Sequence, residues 1–143
     1  MYTGGRGERN KRMSVKIRLK RVGKKKFPSY RVVVAENEQH GVIGYATSGR
    51  FRAKEAYETT VEVSIQCAPT YRGGGLGRRL YDALFTQLAV EDVHCAVAGI
   101  AVPNPASVAL HERMGFQLLG TFPQVGRKFQ RYWDVVWMQK FLG

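Results

Sequence analysis

Val61-Glu-Val-Ser-Ile-Gln-Cys67, then Ala-Pro-Thr-Tyr, then Arg72-Gly-Gly-Gly-Leu-Gly77-Arg-Arg-Leu80, reads as a buried strand stopping at Pro69, a loop with unobstructed backbone amides and the opening of a helix. Leu76, Leu80, Ala83, Leu84 and Leu88 fall at helical spacing, so residues 75–90 are expected to form an amphipathic helix whose positive dipole end faces the loop. Side chains in the loop would hold an anion away from the peptide nitrogens, whereas glycines let successive N–H groups form a concave nest for phosphate oxygens. Two familiar phosphate loops do not fit. No Gly-Lys-Ser/Thr follows, as a nucleotide-hydrolase loop requires, and Gly73-x-Gly75 leads to Arg78 where a dinucleotide fingerprint carries glycine.

Working outward, Val15, Ile17 and Leu19 alternate with Lys16, Arg18 and Lys20, the period of a strand with one apolar face. A turn is expected at Gly23 to Pro28, then strands over Tyr30 to Ala35, Gly41 to Ala46 and Tyr57 to Cys67, making a four-stranded meander. Beyond the glycine loop, the apolar run His94 to Val102, closed by Pro103, reads as a buried strand. Asn104 can cap a second helix with Pro105 in its first turn and Gly115 at its end. Phe116 to Phe122 and Arg131 to Phe141 read as closing strands joined by a basic loop, Val125 to Gln130. The implied architecture is a mixed α/β (α+β) sheet in one domain over residues 13–143.

The formal net charge of the 143 residues is +12, but its distribution is uneven: residues 1–31 carry twelve Lys/Arg against Glu8 alone, leaving eleven basic and ten acidic residues for 32–143. The basicity belongs to a polar, glycine-rich leader, residues 1–12, expected to be disordered, and to the first hairpin. Cys67 and Cys95, each in an apolar stretch, read as reduced core thiols of a cytoplasmic protein rather than a disulfide or a metal pair. No run approaches the ~18 apolar residues of a membrane span, and no signal peptide is visible.

Two segments carry a family resemblance. Arg72-x-x-Gly75-x-Gly77 is similar to the pyrophosphate-gripping pattern of the GNAT acetyltransferases, and Asn104-Pro-Ala-Ser107-Val-Ala-Leu-His111-Glu-Arg-Met-Gly115-Phe116 resembles their second diagnostic segment. Thr60-Val-Glu62-Val-Ser64, Ala98-Gly-Ile-Ala-Val-Pro-Asn-Pro-Ala-Ser107 and Val125-Gly-Arg-Lys-Phe129 with Arg131-Tyr-Trp-Asp134 resemble the phosphinothricin N-acetyltransferase type. The resemblance covers about residues 31–143. It implies a mostly antiparallel GNAT-like sheet with two helices, acetyl-CoA as co-substrate, no metal, and a small amino-acid-like amine acceptor of the phosphinothricin or methionine-sulfone kind. Residues 13–36 resemble instead the opening hairpin of bacterial small-subunit ribosomal protein sixteen, so a β-hairpin stands where the family has its first two helices. Two alternatives follow: a recombined or engineered chimera that keeps the coenzyme site with little activity, and an RNA-binding module contacting RNA nonspecifically through residues 6–31. Without the helical pair an apolar patch is expected to be exposed and covered by self-association, as in a dimer.

Acetyl transfer needs a donor grip, a base for the amine, an oxyanion donor and a proton for the thiolate. Amides of Gly73, Gly74, Gly75, Leu76 and Gly77, with Arg72 and Arg78, are the candidate pyrophosphate grip, and the backbone of Ile65, Gln66 and Cys67 would pair with the pantetheine arm like an added strand. Glu62, a carboxylate within an apolar run, is the candidate base, the position where the resemblance puts the catalytic glutamate. His111 occupies the slot where many family members carry the tyrosine that protonates the thiolate. Asn104 and Ser107 are candidate contacts to the CoA arm. Arg127, Lys128 and Tyr132 are candidates for an anionic acceptor group, while Trp133 and Trp137 read as core.

Overall fold

The computed structural model describes residues 15–21 and 30–143. Seven strands form one sheet, β1 (Lys16–Arg21), β2 (Arg31–Asn37), β3 (Gly41–Arg50), β4 (Thr60–Cys67), β5 (Cys95–Val102), β6 (Gln117–Lys128) and β7 (Arg131–Phe141), in the order β1-β2-β3-β4-β5-β7-β6. Helix α1 (Leu76–Leu88) follows β4 and α2 (Pro105–Arg113) follows β5. All strand pairs are antiparallel except β4 with β5. This is a GNAT-like α/β fold, its sheet mostly antiparallel and carrying two helices. The expected disordered leader, 1–12, and the turn at 23–28 lie outside the described residues.

The first hairpin is part of the main sheet: β1 pairs with β2 from Lys16↔Glu36 to Arg21↔Arg31, so the alternation read at Val15, Ile17 and Leu19 places those side chains against the core. Leu80, Tyr81, Leu84 and Leu88 of α1 are fully buried against Val33, Ala35, Ile43, Ala46, Val61 and Val63. Full burial of each such side chain stabilises by about 1.5–3 kcal/mol, which outweighs the weak propensity of a helix opened by three glycines. Helix α2 lies on the same face. Its Leu110 approaches so closely that a Cβ on Gly77 would sit 2.9 Å from Leu110 Cδ2, so glycine at 77 lets the two helices touch. No described helix covers the opposite face.

Two boundaries differ from the periodicity reading. The strand expected from Tyr57 begins at Thr60, because Glu55–Tyr57 turn as a 3₁₀ segment that sets Tyr57 edge-on to Phe51, ring centroids 6.0 Å apart. The expected basic loop at 125–130 is instead paired strand, with Gly126↔Trp133, Arg127↔Tyr132 and Lys128↔Arg131 in register. Only Phe129 and Gln130 form the turn, both at positive φ (53° and 58°), a two-residue reversal whose twist matches the strands. Basic composition there reflects two exposed strand faces rather than a loop.

Candidate active site

Strands β4 and β5 pair only at Thr60↔Cys95, Val61↔Ala96 and Glu62↔Val97, although β4 runs on to Cys67 and β5 to Val102. Beyond Glu62 they part. Residues 63–67 keep β3 on one side, Cys67 opposite Gly44 and Ile65 opposite Ala46, while the edge toward β5 has no strand. An extended ligand arm can pair there as a strand would. At the wide end of the fork stands the glycine loop. Gly73 and Gly75 have φ of +80° and +79°, Gly75 caps α1 without a side-chain bond, and the amides of Gly73 to Arg78 reach no acceptor in hydrogen-bond geometry among the described residues. A fixed, exposed set of N–H donors at a helix start fits a diphosphate. Arg72 and Arg78 are exposed beside it, whereas Arg79 turns back toward the Val15 carbonyl, 3.5 Å away.

Glu62 sits at the fork itself, the last residue of β4 that pairs with β5. Its side chain lies on the face away from the helices, since Val61 and Val63 on either side enter the core. It is half-buried between Gly49 of β3 and Val97 of β5 and makes no ion pair or hydrogen bond with a described residue. A half-buried carboxylate that no described residue engages is free to accept a proton, as a base must.

His111 is buried, 2% exposed. Its Nδ1–H donates to the Ser107 carbonyl at 2.7 Å, which fixes the tautomer, and Nε2 accepts from Tyr81 Oη–H at 2.7 Å. The rings of Tyr81 and Phe116 meet it edge-on, with centroids 5.2 and 5.1 Å away. Both nitrogens are thus used within the protein. Burial holds the imidazole below its usual pKa, opposed by the bond to Ser107, and burial pushes the Tyr81 hydroxyl and the Cys67 thiol up. Tyr81 was not legible as a site residue, although a hydroxyl beside the apolar stripe of α1 was a signal. Because the unfolded chain protonates His111 near pH ~6.5 and the folded chain only at lower pH, stability should be lost as pH falls through the interval below that value. His111→Gln should flatten that slope in urea melts run across the interval.

Asn104 spends its side chain as the cap of α2, Oδ1 accepting from the Ser107 amide at 3.2 Å. Arg127, Lys128 and Tyr132 lie on the part of the β6–β7 hairpin that extends past β5, whose pairing with β7 ends at Asp134↔Val102. Arg127 stands 5.9 Å from the Tyr132 ring centre and Lys128 5.2 Å from that of Phe129. From Trp137 to Tyr132 is about 17 Å along the strand at roughly 3.4 Å per residue, so the fold does not bring these three to Glu62.

On the face that carries Glu62 the fold opens a cavity of about 320 Å³, lined by Phe51, Arg52, Val97, Leu119, Phe122 and Trp137 among others, though not by Glu62 itself. Val97 is the cross-strand neighbour of Glu62. Four separate segments build this cavity, so no local pattern could announce it. Among the described residues, no three His, Cys, Asp or Glu side chains gather into a possible metal site, and no helix is long and apolar enough to cross a membrane.

A family model described as an acetyltransferase (GNAT) domain matches residues 10–137. The chain belongs to the GNAT acetyltransferase family. The match runs through residues 13–36, so a ribosomal origin for that segment finds no support, nor does a chimera. The phosphinothricin N-acetyltransferase of Streptomyces coelicolor is 53% identical over 112 residues, 78% of this chain and 66% of the relative. An L-methionine sulfoximine/L-methionine sulfone acetyltransferase of Pseudomonas aeruginosa is 41% identical over 110 residues, 77% and 64% of the two chains. The crystal structure of a GNAT superfamily phosphinothricin acetyltransferase from Sinorhizobium meliloti, in complex with acetyl-CoA, superposes with a TM-score of 0.74 at 38% identity, covering 80% of this chain and 62% of that one. The GNAT chain described here thus spans a little under two thirds of the length of these relatives.

Proposed function

We propose that this chain transfers the acetyl group of acetyl-CoA to the primary amine of a small amino-acid-like acceptor, with Glu62 as base. The observation that carries the reading is the fork between β4 and β5, which joins the free amides of the glycine loop at one end to the unpartnered Glu62 carboxylate at the other. In this reading Gly73, Gly74, Gly75, Leu76 and Gly77 cradle the pyrophosphate with Arg72 and Arg78, and the open edge at Ile65, Gln66 and Cys67 pairs with the pantetheine arm and supplies an amide to the oxyanion. Glu62 takes a proton from the amine, directly or through water, so that nitrogen attacks the thioester carbon. The C–N bond forms, the C–S bond breaks, and the thiolate leaves and takes a proton from water while Glu62 gives its own back to solvent.

With both of its nitrogens engaged, His111 acts in this reading as a positioning residue that orients the Tyr81 hydroxyl. Asn104 and Ser107 hold the start of α2 beside the arm. Phe51, Arg52 and Trp137, rather than Arg127, Lys128 and Tyr132, face the acceptor. The names of the relatives favour phosphinothricin, methionine sulfoximine or methionine sulfone as acceptors. Titration calorimetry with acetyl-CoA should give saturable binding at one site per chain, and a free-thiol assay with these amines should show turnover. Failure of acetyl-CoA to bind would end the reading.

Leu118, Leu119, Phe122 and Val125 of β6 are each more than half exposed, an apolar surface that favours a self-associated state. Sedimentation should find a species heavier than the monomer; a monomer at high concentration would exclude it. The free thiols Cys67 and Cys95 suit a reducing, cytoplasmic setting. Of residues 6–31, the segment through which the RNA-binding alternative would act, only 15–21 and 30–31 are described, and nothing there favours it.

A further inference from the structure

Thr47 of β3 and Ser64 of β4 are direct cross-strand partners, two residues along from the pair Gly49↔Glu62. Both lie on the face away from the helices, the face of Glu62: Ala46 and Ser48 beside Thr47 are buried, and Val63 and Ile65 beside Ser64 pack into the core. The two hydroxyl oxygens stand 2.7 Å apart, and Ser64 is exposed. Only one O–H is spent between them, so the pair keeps lone pairs and a second O–H for something else. Glu62 still has Val97 of β5 beside it, whereas Ser64 has no strand on that side, because β5 has already turned away. Along β4 the order is therefore the carboxylate, the hydroxyl pair, and then the open edge at Ile65 to Cys67. On the other flank of Glu62, Gly49 has no side chain, and a Cβ there would meet the Tyr30 ring at 3.2 Å, so that ring covers the strand beside the carboxylate. A Thr–Ser pair adds modestly to the stability of a sheet wherever it falls. This one falls between a carboxylate that no described residue engages and the edge where an acyl-carrying arm can lie.

We propose that Ser64, oriented by its bond to Thr47, holds the acceptor's amine together with Glu62, and that this pair of contacts selects primary over secondary amines. This rests on the transferase reading and adds to it which residues aim the nucleophile and which class of amine they accept. A neutral primary amine carries two N–H groups and one lone pair in a tetrahedral arrangement. Giving one N–H to Glu62 and the other to Ser64 Oγ leaves the lone pair a single direction, toward a thioester held at the open edge, which is the alignment that attack requires. With the Ser64 O–H donated to Thr47 Oγ1, the serine lone pairs are left for the amine. Two residues along a strand span about 6.8 Å at roughly 3.4 Å each. A nitrogen bonded to two oxygens at about 2.9 Å sets them about 4.7 Å apart, so the longer glutamate side chain closes the difference by leaning toward Ser64. A secondary amine has one N–H and satisfies only one of the two.

The test compares L-methionine sulfone with its N-methyl derivative in the full-length protein, as parent, Ser64→Ala and Ser64→Thr. Ser64→Ala should lower kcat/KM for the primary amine by roughly 3- to 10-fold, the loss expected of one neutral hydrogen bond, and for the N-methyl amine by less than about twofold. Ser64→Thr keeps a hydroxyl on a residue that suits a strand, and should stay within about twofold of the parent on both. Acetyl-CoA affinity by calorimetry and the urea midpoint should be unchanged in both variants, since Ser64 is exposed and its side chain is not part of the core. A parent that turns over only the primary amine supports the same requirement, and the alanine and threonine variants then decide. Ser64→Ala at parental kcat/KM on the primary amine, equal losses on the two amines, an equal fall in acetyl-CoA affinity, or a threonine variant as impaired as the alanine one overturns the proposal. Should acetyl-CoA bind and Glu62→Gln lose turnover while Ser64→Ala does not, only this inference falls; should acetyl-CoA fail to bind, the transferase reading falls first.

Discussion

Glu62→Gln should lower kcat with a cognate amine by ~10²- to 10⁴-fold while leaving the affinity for acetyl-CoA within about twofold of the parent, the range expected when a general base is removed from a site otherwise intact. The amide is isosteric with the carboxylate, so the position between Gly49 and Val97 stays filled and the sheet keeps its register. No described residue loses an ion pair, because Glu62 has none. The loss should therefore fall on the chemical step. Single-turnover kinetics beside calorimetry separates the two, and an equal fall in acetyl-CoA affinity would mean that Glu62 holds the fork together instead of serving the amine. Retention of near-parental kcat would remove it from the mechanism.

Gly75→Val should weaken acetyl-CoA binding by ~10-fold or more. Gly75 has φ of +79° with nothing within 4 Å of where a Cβ would stand. The open space means that the substitution is not resisted by a clash; it is resisted by the backbone, since a β-branched residue in the left-handed region costs about 1–3 kcal/mol. The loop is expected to escape that strain by rotating its amides, which scatters the donors a diphosphate needs. Gly126→Ala, outside the loop on the β6–β7 hairpin, is the control, because a Cβ there meets only the Trp133 carbonyl at 3.8 Å and Val135 at 4.0 Å, and it should leave both stability and affinity close to parental. Calorimetric titration of the two variants against the parent checks the pair. Equal affinities in all three would show that the loop is a turn and nothing more.

Much of the fold was legible because local chemistry and tertiary environment agree. The apolar spacing at Leu76, Leu80, Leu84 and Leu88 became the buried stripe of α1, and Asn104, Pro105 and Gly115 became the cap, first turn and stop of α2, Gly115 with φ of +92°. The hairpin tip was misread for the converse reason. Gly126, Arg127 and Lys128 carry no apolar face, so a period-two reading has nothing to count, yet backbone pairing with β7 extends the strand regardless of side-chain polarity. His111 shows a different limit. The motif gave its position, but only the packing of α1 on α2 shows that both its nitrogens are occupied, by Tyr81 thirty residues earlier and by Ser107 one turn back.

Read alone, the chain determined its strand-loop-helix punctuation, the glycine cradle and the odd carboxylate at Glu62, because each is fixed by residues adjacent in sequence whose backbone freedom or polarity is local. Only the tertiary structure decided that β4 and β5 part at Glu62, and that a cavity opens on the same face of the sheet beside Val97. Those features depend on which distant segments the sheet order brings side by side, and a residue's own neighbours in sequence do not carry that information.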